Sequence, residues 1–253
     1  MKCIVLAAGY ATRLYPLTQN FPKPLLKVAD KSILNWVLDT VGEKITEIIV
    51  VSNHKFYEYF LNWSKEQNYN VPIVILDDGS TDNEHRLGAV KDIQFALGKS
   101  GEINDDDGYL IVAGDNVIDF KLSDFIDFAI DKGCSCITCH EENELAKQQK
   151  TAIITIDETN KITSYEEKPL EPKGNFAVPP FYFYYGRDIK RIDEALSEGC
   201  SADAPGSYAA WLSHKTNMYA WKMVKPDGSE GHRFDIGDIA SYEKVQTEFG
   251  NKK

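Results

Sequence analysis

Basic residues and long apolar runs are scarce in this sequence, and each scarcity argues against a class of protein. Lysine and arginine total 28 against 39 acidic residues, so the formal net charge is −11. Nucleic-acid-binding domains usually present a basic surface, and that class is therefore disfavoured. The apolar runs fall far short of the roughly 20 residues that a membrane-spanning helix needs. The run after Lys2 is also too short for a secretory signal. We therefore expect neither a nucleic-acid nor a membrane partner.

Cysteine is scarce as well. Five cysteines are an odd number, which argues against a complete disulfide framework and makes the cytoplasm the expected location. Cys134, Cys136 and Cys139 lie close together, but they do not form the two Cys-x2–4-Cys pairs of a structural zinc site. Their segment is typical of a strand, in which free cysteine packs as a small apolar residue.

The remaining composition is that of a globular domain. The 253 residues are 43% hydrophobic and 26% charged, enough for a substantial core. One domain over residues 1–253 is expected, with insertions rather than a second core. Up to residue 76, strand and helix patterns alternate, with Ser32 predicted to cap the first helix. This order predicts an α/β fold with a mostly parallel sheet flanked by helices.

The densest pattern lies in the first 26 residues. The apolar run of residues 3–8 predicts a buried strand that breaks at Gly9 into a turn of small residues. Such a turn can direct backbone N–H groups at an anion. Arg13 and Lys23 add positive charge beside the turn, and nearby prolines stiffen the connection. This layout suits a polyphosphate, although it is neither a Walker loop nor a G-x-G-x-x-G turn.

The same stretch resembles the signature of the sugar-1-phosphate nucleotidylyltransferases. The family pattern is L-A-A-G-x-G-T-R-L-x-P-L-T followed by P-K-P-L, and this chain has LAAGYATRLYPLT at residues 6–18 and PKPLL at residues 22–26. The departure is Ala11, where the family usually has glycine. Alanine there is expected to make a strongly positive φ less favourable.

The resemblance implies a reaction and a fold. In this family a sugar 1-phosphate attacks the α-phosphorus of a nucleoside triphosphate and expels pyrophosphate. The fold would be three-layered and Rossmann-like, of the GT-A type, with a hairpin insertion over the carboxyl edge of the sheet. The chain ends soon after its last predicted helix, so we expect no appended β-helix. Leu6, Ala8 and Gly9 would bind the nucleotide, while Arg13 and Lys23 would be the catalytic cations.

A polar loop follows the third predicted strand, at residues 77–89. Open α/β sheets bind ligands in loops at the carboxyl ends of their strands. The family holds the nucleotide base and ribose in this region, so the resemblance assigns nucleotide contacts to Asp78 and Gly88. The acidic part of the loop matches no pattern of base specificity, and the sequence leaves the triphosphate open.

Two aspartates are candidate metal ligands. Asp115 follows Gly114 at the end of a predicted strand, where a carboxylate can hold a cation. The resemblance implies that Asp115 binds Mg²⁺ and that Asp235, in the position of the family's D-x-G-T motif, is the second carboxylate. Mg²⁺ is therefore the expected cofactor. Asp238 replaces the threonine usual in that motif and is predicted to cap the last helix.

The acceptor side is marked by EEKP at residues 166–169. In the family the glutamate, here Glu167, binds sugar hydroxyls, and the lysine, here Lys168, contacts the sugar phosphate. These roles agree with the chemistry of the side chains. A carboxylate accepts hydrogen bonds from hydroxyl groups, and an ammonium group binds phosphate as a point charge. Nearby glycines common in the family are replaced here by residues 151–152 and 179–180, so the acceptor's identity stays open.

Three other functions are weighed against this one. A CTP-dependent cytidylyltransferase for phosphocholine or another small phospho-alcohol is kept open by the short chain and the replaced glycines. A GT-A glycosyltransferase needs a D-x-D metal motif, which the sequence around Asp115 does not supply. A non-catalytic sensor would lack the key lysine or aspartates, and all are present. The oligomeric state also stays open, with a homo-oligomer as one alternative.

Overall fold

The computed structural model describes residues 1–250 and builds them around a ten-stranded sheet. The strands are β1 (Lys2–Leu6), β2 (Lys27–Val28), β3 (Lys31–Ser32), β4 (Glu47–Ser52), β5 (Ile73–Asp77), β6 (Gly108–Ala113), β7 (Asn116–Ile118), β8 (Cys136–Glu141), β9 (Ala152–Ile156), β10 (Ile162–Glu167), β11 (Phe176–Ala177), β12 (Phe181–Tyr185), β13 (Tyr219–Lys222) and β14 (Arg233–Asp235).

Helices cover both faces of this sheet. The α-helices are α1 (Ile33–Leu38), α2 (Tyr57–Lys65), α3 (Ala89–Lys99), α4 (Leu122–Lys132), α5 (Leu145–Gln148), α6 (Gly186–Ile189), α7 (Ile192–Ser197), α8 (Pro205–Ser213) and α9 (Ile239–Gly250). Among residues 1–250, no helix combines the length and apolar character needed to cross a bilayer.

The sheet has a parallel half and an antiparallel half. Its order is β10-β9-β11-β8-β12-β6-β1-β4-β5, with β13 beside β8. Strands β6, β1, β4 and β5 are mutually parallel, as the alternating strand and helix pattern predicts. From β12 to β10 the neighbours are antiparallel, so the whole sheet is mixed. The β9–β10 hairpin forms the far end of this same sheet.

The core confirms the three-layer α/β fold. Cys3 and Val5 in β1 pack with apolar side chains of α1, α2 and α4. Ile4 between them packs on the opposite face with side chains of α3, α7 and α8. This alternation is the period of a strand buried on both faces. Cys136 and Cys139 in β8 likewise pack into the two opposite layers.

Helix α9 ties the end of the described chain to its beginning. Asp238 caps the helix as predicted, since its Oδ1 accepts from the Ser241 N–H at 2.8 Å. The predicted cap of α1 is confirmed too: Ser32 Oγ accepts from the Asn35 N–H. A small apolar cluster then joins α9 to the first loop, to α1 and to β7. This packing fixes the segment of residues 235–238 against the loop that carries Arg13.

Candidate active site

The loop after β1 turns sharply at Ala11. Its φ of 47° lies in the left-handed region, so the expectation that alanine makes a positive φ less probable here is wrong. That region is open to non-glycine residues at a modest cost. The Ala11 carbonyl accepts from the Thr18 hydroxyl at 2.8 Å and from the Leu14 N–H at 3.0 Å, which holds the turn. A Cβ at Gly9 would meet nothing within 4 Å, so the loop has open space above it.

Lys23 and Asp115 form the central ion pair of the site. Lys23 Nζ donates to Asp115 Oδ2 at 2.7 Å, and the lysine side chain is only 6% exposed. Lys23 starts a short 3-10 helix between two prolines. Asp115 follows β6, which runs parallel to β1 with Leu6 opposite Ala113. The pairing of two neighbouring strands therefore brings these distant residues together.

The charge state of Asp115 follows from its neighbours. Burial alone would raise the pKa of this carboxyl. The Lys23 ammonium and its hydrogen bond, with a smaller contribution from the Arg233 guanidinium, outweigh burial and hold the pKa below its usual value. The Asp115 carboxylate is therefore ionised near neutral pH.

Asp235 reaches the same place through a separate two-stranded sheet. In the β14–β7 ladder Asp235 lies opposite Asn116, the residue directly after Asp115. Asn116 Nδ2 donates to Asp115 Oδ1 at 2.8 Å, and Arg233 Nη1 donates to Asn116 Oδ1 at 3.0 Å. These hydrogen bonds link Asp115 to Arg233 through Asn116, and the strand pairing places Asp235, the other predicted metal ligand, opposite Asn116. The sequence interpretation did not single out Arg233.

Arg13 completes this group of charges. Gly237 lies two residues after Asp235. A Cβ added at Gly237 would lie 3.8 Å from both terminal nitrogens of Arg13. Arg13, Lys23, Asp115 and Gly237 all line one cavity of about 260 Å³, which we call the central cavity. The fold therefore gathers both predicted catalytic cations and one predicted metal ligand around a single space.

Two further cavities adjoin the central one. The loop cavity, of about 420 Å³, is lined by Leu6, Ala8, Gly9 and Gly88 among others. The hairpin cavity, of about 520 Å³, is lined by Glu167, Lys168 and Asp235 among others. Residues shared with the central cavity show that the three form one cleft. The loop cavity shares Leu6, Gly9, Ala11, Arg13 and Ala89 with it, and the hairpin cavity shares Pro180 and Pro205.

Gly88 lies where α3 begins and where another loop approaches closely. Its φ is 92°, and a Cβ there would lie 2.6 Å from the Ala202 carbonyl oxygen. Only glycine fits this position. The close approach brings the segment around residue 202 to the loop cavity, which Asp203 also lines.

Asp78 is the one predicted site residue that the structure does not place among the lining residues of these cavities. Its Oδ1 accepts from the backbone N–H and the hydroxyl of Ser80, both at 2.7 Å. The side chain therefore stabilises the turn after β5. Asp92, in the first turn of α3, lines the loop cavity instead. Sequence reasoning missed it because it lies on the polar-apolar pattern of a helix.

The predicted acceptor residues line the hairpin cavity. Lys168 follows β10 with a φ of 48°, and its Nζ lies 4.0 Å from Glu167 Oε1. Burial raises the pKa of Glu167, and the Lys168 charge offsets part of that rise. Residues 151–152 and 179–180, where the family's glycines are replaced, line the same cavity. This wall therefore differs from the family pattern where the acceptor would lie.

More cations line the hairpin cavity than the sequence interpretation predicted. Lys147, Lys150 and Arg233 join Lys168 there. Lys147 belongs to the short helix α5. His140 also lines the cavity, and burial together with the Arg233 charge lowers its pKa to about 4. Its imidazole is therefore neutral at physiological pH.

Residues 2–251 match the nucleotidyl transferase family, and the chain belongs to that family. This confirms the resemblance carried by the first 26 residues. The bifunctional protein GlmU of Methanocaldococcus jannaschii is 27% identical over 100% of this chain and 57% of its own length. The UTP--glucose-1-phosphate uridylyltransferase AglF of Haloferax volcanii is 26% identical over 94% of this chain and 91% of its own.

A solved structure shares the fold. The UDP-glucose pyrophosphorylase complexed with UDP-glucose superposes with a TM-score of 0.80 at 18% identity, covering 100% of this chain and 99% of the other. AglF is similar to this chain in length. Several other curated relatives are longer than this chain. The chain spans about half of their length, with 57%, 49% and 44% covered in three of them.

Proposed function

We propose that this chain transfers a nucleotidyl group from a nucleoside triphosphate to a sugar 1-phosphate and releases pyrophosphate. The observation that carries the proposal is the meeting of Arg13, Lys23 and Asp115 in the central cavity, beside Asp235. Several relatives agree in kind, since they are named as uridylyl-, adenylyl- and guanyltransferases.

The cations of the central cavity suit the triphosphate. Transfer of this kind depends on positioning and on neutralising charge, and little covalent help is needed. Arg13 and the Gly9 backbone would hold the β- and γ-phosphates and stabilise the leaving pyrophosphate. Lys23 would neutralise the α-phosphate, and its ion pair with Asp115 holds it in place beforehand. The acceptor phosphate is already ionised near pH 7, so no general base is required.

Asp115 and Asp235 fit Mg²⁺ by their chemistry. Both offer carboxylate oxygens, the ligands that Mg²⁺ prefers together with phosphate oxygens and water. The pKa of Asp115 is held low, and Asp235 Oδ2 lies 4.0 Å from Arg233 Nη2, beyond hydrogen-bond distance. When bound, Mg²⁺ would neutralise phosphate charge and polarise phosphate oxygens. These two residues are the ones that would hold it.

The hairpin cavity suits a small phosphorylated acceptor. Its volume of about 520 Å³ lies within the range common for small-molecule sites. Lys168 would orient the acceptor's phosphate, and Glu167 would accept from its hydroxyls. A second candidate, a CTP-dependent enzyme for phosphocholine or a similar phospho-alcohol, is favoured by the replaced glycines in the cavity wall at residues 151–152 and 179–180.

A substrate matrix tests the proposal. Pyrophosphate release is measured for ATP, CTP, GTP, UTP and dTTP against several sugar 1-phosphates and phosphocholine, with and without Mg²⁺. We expect release with at least one sugar 1-phosphate, dependent on Mg²⁺. Release with phosphocholine and CTP alone would favour the second candidate. The absence of release with every pair would contradict both.

A further inference from the structure

One arginine in the wall of the hairpin cavity is held in place but has few partners. Arg233 lies in β14, and its side chain is 25% exposed. A guanidinium group has five N–H donors. Within residues 1–250, the hydrogen bond of this guanidinium is the one from Nη1 to Asn116 Oδ1, at 3.0 Å. Most of its donors therefore have no protein acceptor, an arrangement that suits a ligand rich in acceptor oxygens.

The unpaired donors of Arg233 can be reached by a ligand. Arg233 lines the hairpin cavity, and none of its nitrogens is among the fully buried atoms that lack a partner within residues 1–250. Its Nε and Nη2 therefore keep some accessible surface. Asp235 Oδ2 lies 4.0 Å from Nη2, which is too far for a hydrogen bond. An anion in the cavity could thus accept from these donors without breaking a hydrogen bond of the protein.

The position of Arg233 connects the hairpin cavity to the proposed reaction centre. Arg233 and Asp235 are two positions apart in β14, so their side chains lie on the same face of that strand. Asn116, which accepts from Arg233, also donates to Asp115 in the central cavity. The Arg233 charge is close enough to help lower the pKa of Asp115. The guanidinium therefore lies at the end of the hairpin cavity where an acceptor would meet the triphosphate.

We propose that Arg233 binds the phosphate group of the acceptor and is the fixed cation of the hairpin cavity. The inference rests on the proposed function, because it requires an acceptor phosphate in this cavity, and it applies equally to a sugar 1-phosphate and a phospho-alcohol. A planar guanidinium can donate two parallel hydrogen bonds to phosphate oxygens, whereas a lysine acts as a point charge. Arg233, held by Asn116, would orient the phosphate, and Lys168, which is 60% exposed, would add charge.

A purely structural role for Arg233 is the rival explanation. Arg233 holds Asn116, and Asn116 in turn holds Asp115. If this were its whole role, loss of Arg233 would disturb turnover at the central cavity and leave acceptor affinity unchanged. Arg191 is a matched control, because its side chain is 31% exposed, it is hydrogen-bonded to Glu194, and it lines none of the three cavities.

The experiment measures acceptor binding apart from turnover. Glucose 1-phosphate, mannose 1-phosphate, N-acetylglucosamine 1-phosphate and phosphocholine are titrated by NMR with Mg²⁺ and the α,β-methylene analogues of ATP, CTP, GTP, UTP and dTTP, which cannot release pyrophosphate. For the tightest acceptor, Arg233→Gln should raise the Kd about tenfold or more, the scale of losing hydrogen bonds to a charged group. Arg191→Gln should leave it within about twofold. The phosphate-free parent compound, a methyl glycoside or choline, should bind the wild type and Arg233→Gln equally within about twofold.

Pyrophosphate release from the natural triphosphates, measured on the same variants, separates this inference from the proposed function. If release occurs, an unchanged acceptor Kd in folded Arg233→Gln, or an equal loss of affinity for the phosphate-free parent, overturns the inference alone. The expected binding pattern without release from any pair keeps Arg233 as a phosphate-binding residue and overturns the proposed reaction. Binding of none of the four acceptors by the wild type overturns the inference, and the absence of release as well overturns both.

A second variant covers a folding failure. If Arg233→Gln does not fold, Arg233→Lys keeps the positive charge but loses the planar pair of donors. The acceptor Kd should then rise severalfold, while the Kd of the phosphate-free parent should stay within about twofold. An acceptor Kd equal to that of the wild type would overturn the inference.

Discussion

The central cavity and the hairpin cavity hold their charges in different ways. In the central cavity, Lys23 is 6% exposed and lies 2.7 Å from Asp115, whose side chain is 40% exposed. In the hairpin cavity, Lys168 is 60% exposed and lies 4.0 Å from Glu167, whose side chain is 33% exposed. The two lysines therefore differ more than the two carboxylates: a buried, hydrogen-bonded lysine is fixed before any ligand arrives, whereas an exposed lysine is screened by water and loosely placed. The difference teaches that Lys23 at the proposed triphosphate end is preorganised and that Lys168 at the proposed acceptor end is adaptable.

The backbone explains this difference. Lys23 is held on a short 3-10 helix between prolines, and Asp115 ends a strand in the middle of the sheet. Lys168 follows β10, the edge strand of the sheet, which has a neighbouring strand on one side only. Substitutions in the central cavity should therefore damage the reaction itself, while those in the hairpin cavity should mainly change acceptor binding.

Removal of divalent cations should have the largest effect. Without Mg²⁺ the carboxylates of Asp115 and Asp235 and the phosphates would meet with too few positive charges, so excess EDTA should abolish pyrophosphate release. Added Mg²⁺ should restore it, as a coupled phosphate assay would show. Full activity in EDTA would contradict the metal assignment and leave charge neutralisation to the lysine and arginine side chains of the cleft.

Substitutions at the buried ion pair come next. Lys23→Ala and Asp115→Asn should each lower kcat by about a hundredfold or more, the scale of losing one preorganised charge. The control is Lys27→Ala, an exposed lysine four residues further along, which should keep near-normal turnover. Thermal melts verify that the variants fold. Near-normal turnover in both Lys23→Ala and Asp115→Asn would defeat the assignment.

A smaller effect is expected at the exposed pair. Lys168→Ala should raise the KM for the acceptor roughly tenfold and change kcat by less, because an exposed lysine acts mainly as a point charge on the bound phosphate. Lys173→Ala is the matched control, since Lys173 is 78% exposed and pairs with Glu166 at 3.5 Å. Equal effects of the two substitutions on acceptor KM would show that Lys168 has no special contact.

The smallest effect is expected on stability, at Asp92. The pKa of its buried carboxyl is raised from 3.8 to about 7, so the folded protein binds this proton more tightly than the unfolded chain. The stabilisation is fully present below about pH 4 and is lost as the pH rises to about 7. Asparagine does not titrate. The Tm of Asp92→Asn relative to wild type should therefore increase by a few degrees between pH 5 and pH 8. A constant difference would contradict the raised pKa.

The parts of the site that could be predicted from the sequence rest on local signals. An apolar run ending at Gly9 marked the first strand and its loop, and Gly114 before Asp115 marked the end of another. If both strands are parallel they share their carboxyl edge, so these two ends were expected at the same edge of the sheet. The caps at Ser32 and Asp238 could also be predicted, because a helix cap is a local feature that joins residues three positions apart.

The parts that could not be predicted depend on distant pairing. Arg233 enters the site only because β14 pairs with β7, and Lys147 enters only because α5 folds over the hairpin cavity. The left-handed turn at Ala11 is held by Thr18, a contact that residue preferences alone do not reveal. Asp92 has the appearance of an ordinary helical position until its burial and missing partner are seen.

The central claim is that the cleft directs attack at the α-phosphorus of a triphosphate. Triphosphate labelled at the α- or γ-phosphorus, incubated with the preferred acceptor and Mg²⁺, tests this directly. We predict that the α-label enters the nucleotide-sugar product and the γ-label enters pyrophosphate, and that both products form more slowly, by about a hundredfold or more, in Lys23→Ala. The γ-label on the acceptor, or its release as orthophosphate, would contradict the account.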